Sequence, residues 1–278
     1  MSTIKKLTAA KVFLENNIDK NFLAAKPTGL ILGTGINEIM RHWAVQKISY
    51  LDIPNFPKSQ STDHGDVLAL GYLGKLPLIV LTGRAHLYEG YSAAEVCFGV
   101  RLLAMLGVKR LIITNSSGAL NPNFSVPGLL LVTDQINLTG QSPLIGPNDA
   151  SMGLRFPDLT QLFDPTLQKL AQEAALSVGI RLERGVYVGV HGPELETPAE
   201  TRFYRAIGGD AIGMSSVLEA IAAKHMGLDI LEISCLSNKN LPDCMQPIKI
   251  EDVVSQTQVA AQKFWLVLKE LAPKMTKF

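Results

Sequence analysis

Short runs of leucine and β-branched residues recur along the chain, at 30–32, 67–70, 78–81, 111–114, 129–132, 186–190 and 230–233, and read as strands. Apolar positions at helical spacing occupy 92–106, 167–178 and 217–226, and again 251–271. This alternation predicts an α/β fold whose mixed, largely parallel sheet is covered by helices. Three capping boxes mark helix starts: Ser92 with Glu95, Thr197 with Glu200, and Ser216 with Glu219, with Pro198 at a first helical position. Residues just before those starts therefore sit near helix N-termini. The stretch 137–164 shows little periodicity and many prolines and glycines, which predicts a long irregular connection at a functional site or a subunit contact.

Composition narrows the partners. The 278 residues, 47% of them hydrophobic, suffice for one domain over 1–278 with an ample core. A net charge of +1 and only 6% aromatic residues offer neither the basic excess nor the stacking platform of a nucleic-acid groove, so a small neutral or anionic ligand is expected. Cys97, Cys235 and Cys244 are too widely spaced to suggest a disulfide framework or a CxxC metal pair. They read as thiols of a reducing compartment. Nothing approaches the roughly 18 apolar residues of a membrane helix, and 1–17 lacks the apolar core of a signal peptide. A cytoplasmic location without membrane attachment is the expectation. The histidines at 42, 64, 86, 191 and 225 form no HExxH or close ligand cluster, so no metal is expected.

Several polar clusters follow the apolar runs. In LILGTGIN (30–37) a glycine turn after a strand can hold an anion on backbone N–H groups, and Thr34 adds a hydroxyl. Glu38 stands where the dinucleotide fingerprint needs its third glycine, and a plain tight turn explains the same letters. TGRAHLYEGY (82–91) sets the planar fork of Arg84 two residues before His86, a pairing suited to an oxyanion, although a surface arginine and a loop histidine would look alike. LIITNSSGALNP (111–122) ends a strand on small residues, where a ligand can approach the backbone. HGPELETPAE (191–200) puts Glu194 and Glu196 before a helix cap, to complement its dipole or to accept paired N–H donors from a ligand. DAIGMSSVLEA (210–220) brings Met214 and Ser215 to another helix entrance, and ISCLSNKN (233–240) ends a strand on Asn238.

Taken together, GTG at 33–35, GRAHLYEGY at 83–91, TNSSG at 114–118, QSPLIGPND at 141–149, GPELETPAE at 192–200, GMSS at 213–216 and SNK at 237–239 closely resemble, in order and spacing, the trimeric purine nucleoside phosphorylases. The likeness spans nearly the whole chain. It implies a phosphorylase/hydrolase-like α/β fold with a central mixed, twisted sheet flanked by helices, a homotrimer, and reversible attack of inorganic phosphate on a purine nucleoside. Phosphate is then a co-substrate, and no cofactor is implied. By that resemblance Thr34, Arg84, His86 and Ser215, with the backbone N–H of Ser116, would bind phosphate. Glu196 and Asn238 would hold the base beside Leu195, Ser117 and Gly118. Tyr88, Met214 and His64 would line the ribose, near Tyr187 and Ile250, and Met152 would reach in from a neighbouring subunit. His86, Glu196 and Asn238 would carry catalysis, and Glu89 would pair with His86 to orient it.

The implied chemistry is phosphorolysis of 6-oxopurine ribonucleosides and 2'-deoxyribonucleosides such as inosine and guanosine, through an oxocarbenium-like transition state. Adenosine, whose N1 carries no proton for Glu196 to accept, is expected to be poor. The sequence departs from the family at six positions. Thr34 replaces a serine, and Ser116 and Ser117 replace alanines. Ile250 stands where a histidine usually binds the 5'-hydroxyl, and Met152 and Leu195 stand where aromatics are usual. Ile250 keeps open a 5'-methylthionucleoside phosphorylase of the same fold. A catalytically silent nucleoside-binding protein is the rival of another class.

Overall fold

The computed structural model describes residues 2–36, 43, 46–58 and 66–276. The strands are β1 (Thr28–Ile31), β2 (Gln46–Ser49), β3 (Val67–Leu73), β4 (Leu76–Leu81), β5 (Arg110–Ala119), β6 (Gly128–Asn137), β7 (Leu182–Gly189), β8 (Ala211–Gly213) and β9 (Asp229–Lys239). The helices are α1 (Thr3–Asn17), α2 (Lys20–Ala24), α3 (Ala93–Val96), α4 (Phe98–Met105), α5 (Pro165–Ser177), α6 (Pro198–Ala206), α7 (Val217–His225) and α8 (Ile250–Met275).

Among the described residues nine strands join in the order β2-β3-β4-β1-β5-β8-β7-β6-β9, and β9 also pairs with β5. The last five therefore close into a ring, while β2, β3, β4 and β1 continue outward as an open sheet. Five of the pairings are parallel and four antiparallel, so the sheet is more evenly mixed than the alternating pattern predicts. Two hydrophobic cores cover its faces. Leu30, Leu78 and Ile112 pack with Leu167 of α5 and Phe264 of α8. Their neighbours Ile31, Ile79 and Ile113 point the other way, toward Leu14 of α1, Leu103 of α4 and Leu218 of α7. Successive strand residues face opposite sides, and helices cover both, so these strands read as unbroken apolar runs.

The sequence pattern missed α1, whose buried Leu7, Ala10 and Leu14 lie at helical spacing among lysines, and also the short strands β2 and β8. The helical stretch 92–106 divides at Cys97 into α3 and α4. Capping boxes form at Ser92 and Thr197. The one expected at Ser216 does not: Ser216 adopts a left-handed φ of 61° and makes no side-chain cap, because its hydroxyl turns into the interior.

That interior is polar where β5 meets β9. The Asn115 side-chain amide donates to Glu232 (2.8 Å) and to Ser216 (3.0 Å), and the Ser216 hydroxyl lies 2.8 Å from the same Glu232 oxygen. Ser234 donates to the Asn115 side-chain Oδ1 and shares a 2.6 Å hydrogen bond with Ser117. Two strands and the entrance to α7 are thus cross-linked by side chains. Burial pushes the Glu232 carboxyl up to about 7, against the bonds from Ser216 and Asn115 and the attraction of Arg84, while Glu219 adds repulsion.

An unfolded glutamate titrates near 4.5, so the folded chain holds an extra proton between about 4.5 and 7. Stability should consequently fall as pH rises through that interval, by on the order of 3 kcal/mol. Glu232→Gln keeps the acceptor and removes the titration. Urea denaturation of both proteins at pH 5 and pH 8 should show the wild type losing stability relative to the variant at the higher pH, and a difference independent of pH would contradict the assignment.

Candidate functional site

A cavity of about 490 Å³ opens at the ends of β1, β4, β5, β8 and β9, roofed by the segment after β9 and the first turns of α8. Clefts at strand ends are where open α/β sheets hold ligands. Its lining divides into a cationic end, an apolar middle and an end rich in amides and carboxylate.

Gly33, Thr34, Arg84, His86, Ser116 and Ser215 line the first. Gly33 is required there, because a Cβ would lie 2.7 Å from the Asn115 backbone. Arg84 is 5% exposed. Its Nε lies 3.4 Å from Glu219 of α7, and its buried nitrogens make no hydrogen bond among the described residues. A buried guanidinium with its donor fork unsatisfied suits a planar or tetrahedral oxyanion. Glu219, read from sequence as a capping residue, instead serves this arginine. His86 begins a single 3-10 turn, Leu87–Glu89. One Glu89 oxygen accepts the His86 backbone N–H at 2.7 Å and lies 3.4 Å from its Nδ1, so the carboxylate holds the imidazole as the sequence led us to expect. The ring stacks on Tyr88, with centroids 4.7 Å apart. Burial pushes the Tyr88 phenol up to about 12 and keeps it neutral at physiological pH.

Thr257 of α8 was not anticipated. Its hydroxyl donates to the Val253 carbonyl, so the 2.7 Å bond to Ser116 has Ser116 as donor. Ser116 thereby ties the end of β5 to α8. Met214, Ile212, Ile248, Val253 and Val254 form the apolar middle, with Tyr88 beside them. Tyr187 lies beneath this wall and not in it. Fully buried, it brings its hydroxyl within 3.5 Å of the Ser215 N–H, and a Cβ on Gly213 would stand 2.3 Å from that oxygen. It shapes the floor from below.

Ser117, Gly118, Leu195, Glu196, Asn238 and Asn240 make the third end. A register shift between β5 and β9 leaves Ser237 without a partner, so Gly118 faces Asn238. Asn238 and Asn240, two apart, then turn to the same side. Both amides lie against Gly118, where a Cβ would meet them at 3.1 and 2.9 Å. Asn240 donates to Glu196 at 2.6 Å. Burial raises the Glu196 carboxyl above its ordinary range, only partly offset by hydrogen bonds from its own backbone and from Asn240. Asn240 was missed from sequence, although its spacing from Asn238 in SNKN was visible.

Ile250 lines the mouth and is largely exposed, as is Leu195. Met152, implied as a neighbouring subunit's contribution, is 6% exposed and packs in the core of its own chain. His64 lies outside the described residues.

Residues 27–273 match the family model described as the phosphorylase superfamily. The chain is 41% identical over 261 residues to purine nucleoside phosphorylase 1 of Geobacillus stearothermophilus, covering 94% of this chain and 95% of that protein. Among solved structures, a Schistosoma purine nucleoside phosphorylase in complex with hypoxanthine superposes with a TM-score of 0.90 at 29% identity over 99% of both chains. Isoform 2 of the Schistosoma mansoni enzyme, in complex with cytosine and ribose-1-phosphate, gives 0.90 at 31% identity, covering 98% of this chain and 96% of that one. With a cationic pocket facing an amide and carboxylate pocket across one cavity, and with these relatives over nearly its full length, the chain belongs to the phosphorylase superfamily as a purine nucleoside phosphorylase.

Proposed function

We propose that the chain phosphorolyses 6-oxopurine ribonucleosides and 2'-deoxyribonucleosides, inosine and guanosine foremost, to the free base and α-ribose 1-phosphate or its deoxy analogue. The observation that carries this reading is the placement of a half-buried carboxylate, Glu196, beside Asn238 at one end of a cavity whose other end holds Arg84 and His86. An ionised Glu196 accepts the N1–H of a 6-oxopurine and the 2-amino protons of guanine, whereas adenosine presents a lone pair there. Arg84, His86, Thr34 and Ser215, with the Ser116 backbone N–H, hold phosphate as nucleophile and countercharge. The C1'–N9 bond lengthens and its electron pair enters the purine, so the sugar gains oxocarbenium character. A phosphate oxygen then bonds to C1', and as the base leaves it takes up one proton while the hydrogen phosphate gives one up, so no net proton is consumed. Tyr88 and Met214 line the ribose, and no cofactor takes part. The hypoxanthine and ribose-1-phosphate named for the Schistosoma structures are the products expected from inosine.

The assembly proposed is a homotrimer, supported by Ile145, Leu154 and Phe156, which expose apolar surface on the irregular connection before α5. Among the described residues no helix is long and apolar enough to cross a membrane. Three unpaired thiols support a reducing compartment such as the cytoplasm. A second reading, preference for 5'-methylthio nucleosides, draws on Ile250 and its apolar neighbours Ile248 and Val254.

Base release from inosine, guanosine, adenosine and 5'-methylthioinosine, each with and without phosphate, tests both readings. Release should require phosphate and favour inosine and guanosine over adenosine; the rank of the methylthio compound decides the meaning of Ile250. Arg84→Gln should raise the phosphate KM about 10-fold or more, since it removes a charged donor. Because inosine needs Glu196 ionised and burial raises that carboxyl, kcat/KM for inosine should fall as pH drops, from a point above the ordinary glutamate range. In Glu196→Gln that acid limb should vanish together with about 100-fold of the activity on inosine. Persistence of the limb would assign it to another group.

A further inference from the structure

The base end holds a directed chain of side-chain hydrogen bonds. Ser237 donates its hydroxyl to Asn238 Oδ1 at 2.9 Å, Asn238 Nδ2 donates to Asn240 Oδ1 at 3.1 Å, and Asn240 Nδ2 donates to Glu196 Oε2 at 2.6 Å. The direction is forced by chemistry. An ionised carboxylate only accepts, so Asn240 must present its NH2 group to Glu196 and its oxygen to Asn238. Asn238 must then turn its own NH2 group toward Asn240, leaving its oxygen on the Ser237 side. Asn240 is 8% exposed and its backbone N–H bonds to Ala119 at 2.8 Å, so it is fixed at both ends.

The order of groups along a purine edge matters here. Position 6 lies between N1 and N7. With Glu196 at N1, the NH2 end of Asn238, which lies toward Glu196, faces position 6, and the oxygen end faces N7. Each Asn238 atom retains one valence for a ligand, an N–H and a lone pair. An oxo group at position 6 satisfies the first, and the proton that N7 gains as the base departs satisfies the second, since N7 of the intact nucleoside carries only a lone pair. An amino group at position 6 would set donor against donor unless the amide flipped, and the flip breaks the bond to Asn240.

We propose that Asn240 is a specificity-determining positioning residue: by bridging Glu196 and Asn238 it locks the Asn238 amide in the orientation that accepts 6-oxopurines and rejects 6-aminopurines. This rests on the nucleoside reading above. It also gives Asn238 a definite sense, donor toward position 6 and acceptor toward N7. Asn240 supports the charge on Glu196 as well, for its N–H is one of the bonds opposing the effect of burial. Glu200 in the first turn of α6 repels that charge, and Tyr204, one turn on, is a titratable neighbour. Lys239, on the same cavity wall, directs its ammonium to the Pro122 carbonyl at 3.3 Å.

The test compares wild type, Asn240→Leu and Asn240→Asp in the assembled protein, with kcat/KM for inosine and adenosine across pH at saturating phosphate. Asn240→Leu keeps the volume and removes both bonds. It should lower the inosine-to-adenosine ratio about 10-fold or more, and move the acid limb for inosine to higher pH, with the phosphate KM within about twofold of wild type. Asn240→Asp keeps the acceptor for Asn238 and sets a second carboxylate against Glu196, so the two share a proton. It should retain the preference for inosine and gain a fall in activity at alkaline pH, as that proton is lost. A ratio within twofold of wild type in Asn240→Leu, or an Asn240→Asp pH profile that overlays the wild type, would overturn the proposal. Should Asn240→Leu fail to fold, the Asn240→Asp profile decides alone. If wild type releases no base from inosine and phosphate, the phosphorolysis reading fails separately. Calorimetric affinities of the same proteins for hypoxanthine and adenine then test Asn240: a smaller ratio in Asn240→Leu supports it, and an unchanged ratio refutes it.

Discussion

β5 and β9 pair in parallel from Arg110↔Asp229 to Ala119↔Lys239, and that ladder carries the remainder of the molecule. β5 belongs at once to the open sheet, through β1, and to the closed ring, through β8 and β9. A parallel pair cannot be joined by a hairpin, so the chain between them is free to make β6, α5, β7, α6, β8 and α7 and still return to the same edge. Because β5 is shared, the ends of β5, β8 and β9 from the ring meet those of β1 and β4 from the open sheet at one opening. The cavity lies at that opening, and its residues come from segments more than 200 positions apart, from Gly33 to Thr257.

The ladder is not apolar throughout. Where it nears the cavity, Asn115, Ser117, Glu232 and Ser234 replace the aliphatic residues found lower in the same strands, and Ser216 joins them in a strained left-handed conformation. Such a network is costly unless every group is satisfied. It becomes intelligible beside Arg84. One buried cation lies near two buried carboxylates, Glu219 at 3.4 Å and Glu232 behind it, and its donors reach no hydrogen-bond partner among the described residues. Glu219, joined by Glu232 when that group is ionised, stabilises the buried guanidinium without making a hydrogen bond to its donor fork. Stability is thereby spent on a pocket able to take an anion, a common relation between polar cores and active sites.

At the opposite end amides and one carboxylate form a second polar cluster. A register shift at Ser237 turns Asn238 and Asn240 to one side, and Gly118 supplies the flat backbone against which both amides lie. The amides, the Ser237 hydroxyl and Glu196 then order one another through three hydrogen bonds. Orientation at the site comes from the acceptor-only character of an ionised carboxylate, transmitted along the chain. Between the two ends Met214 and the first turns of α8 provide apolar wall, with Ser116 and Thr257 holding that helix to β5.

Much of this was legible in the letters. The strands carrying the site show as apolar runs because both faces are buried, and Arg84, His86, Glu196 and Asn238 stand out as polar residues placed directly after such runs or before helix caps. Glu89 beside His86 follows from three-residue spacing within one turn. Contacts between distant segments were not legible. Glu219 reads as a capping residue, and only the packing of α7 beside β4's exit turns it to Arg84. Met152 reads as a side chain reaching outward, yet it is buried in its own chain. Asn240 is visible two positions after Asn238, but its role and that of Thr257 are not, since hydrogen-bond partners 44 and 141 positions away are invisible to any short window. Local periodicity and chemistry determine which residues are available to a site. Long-range pairing alone decides which of them meet, because the energy of those meetings depends on distances that only the closed sheet creates.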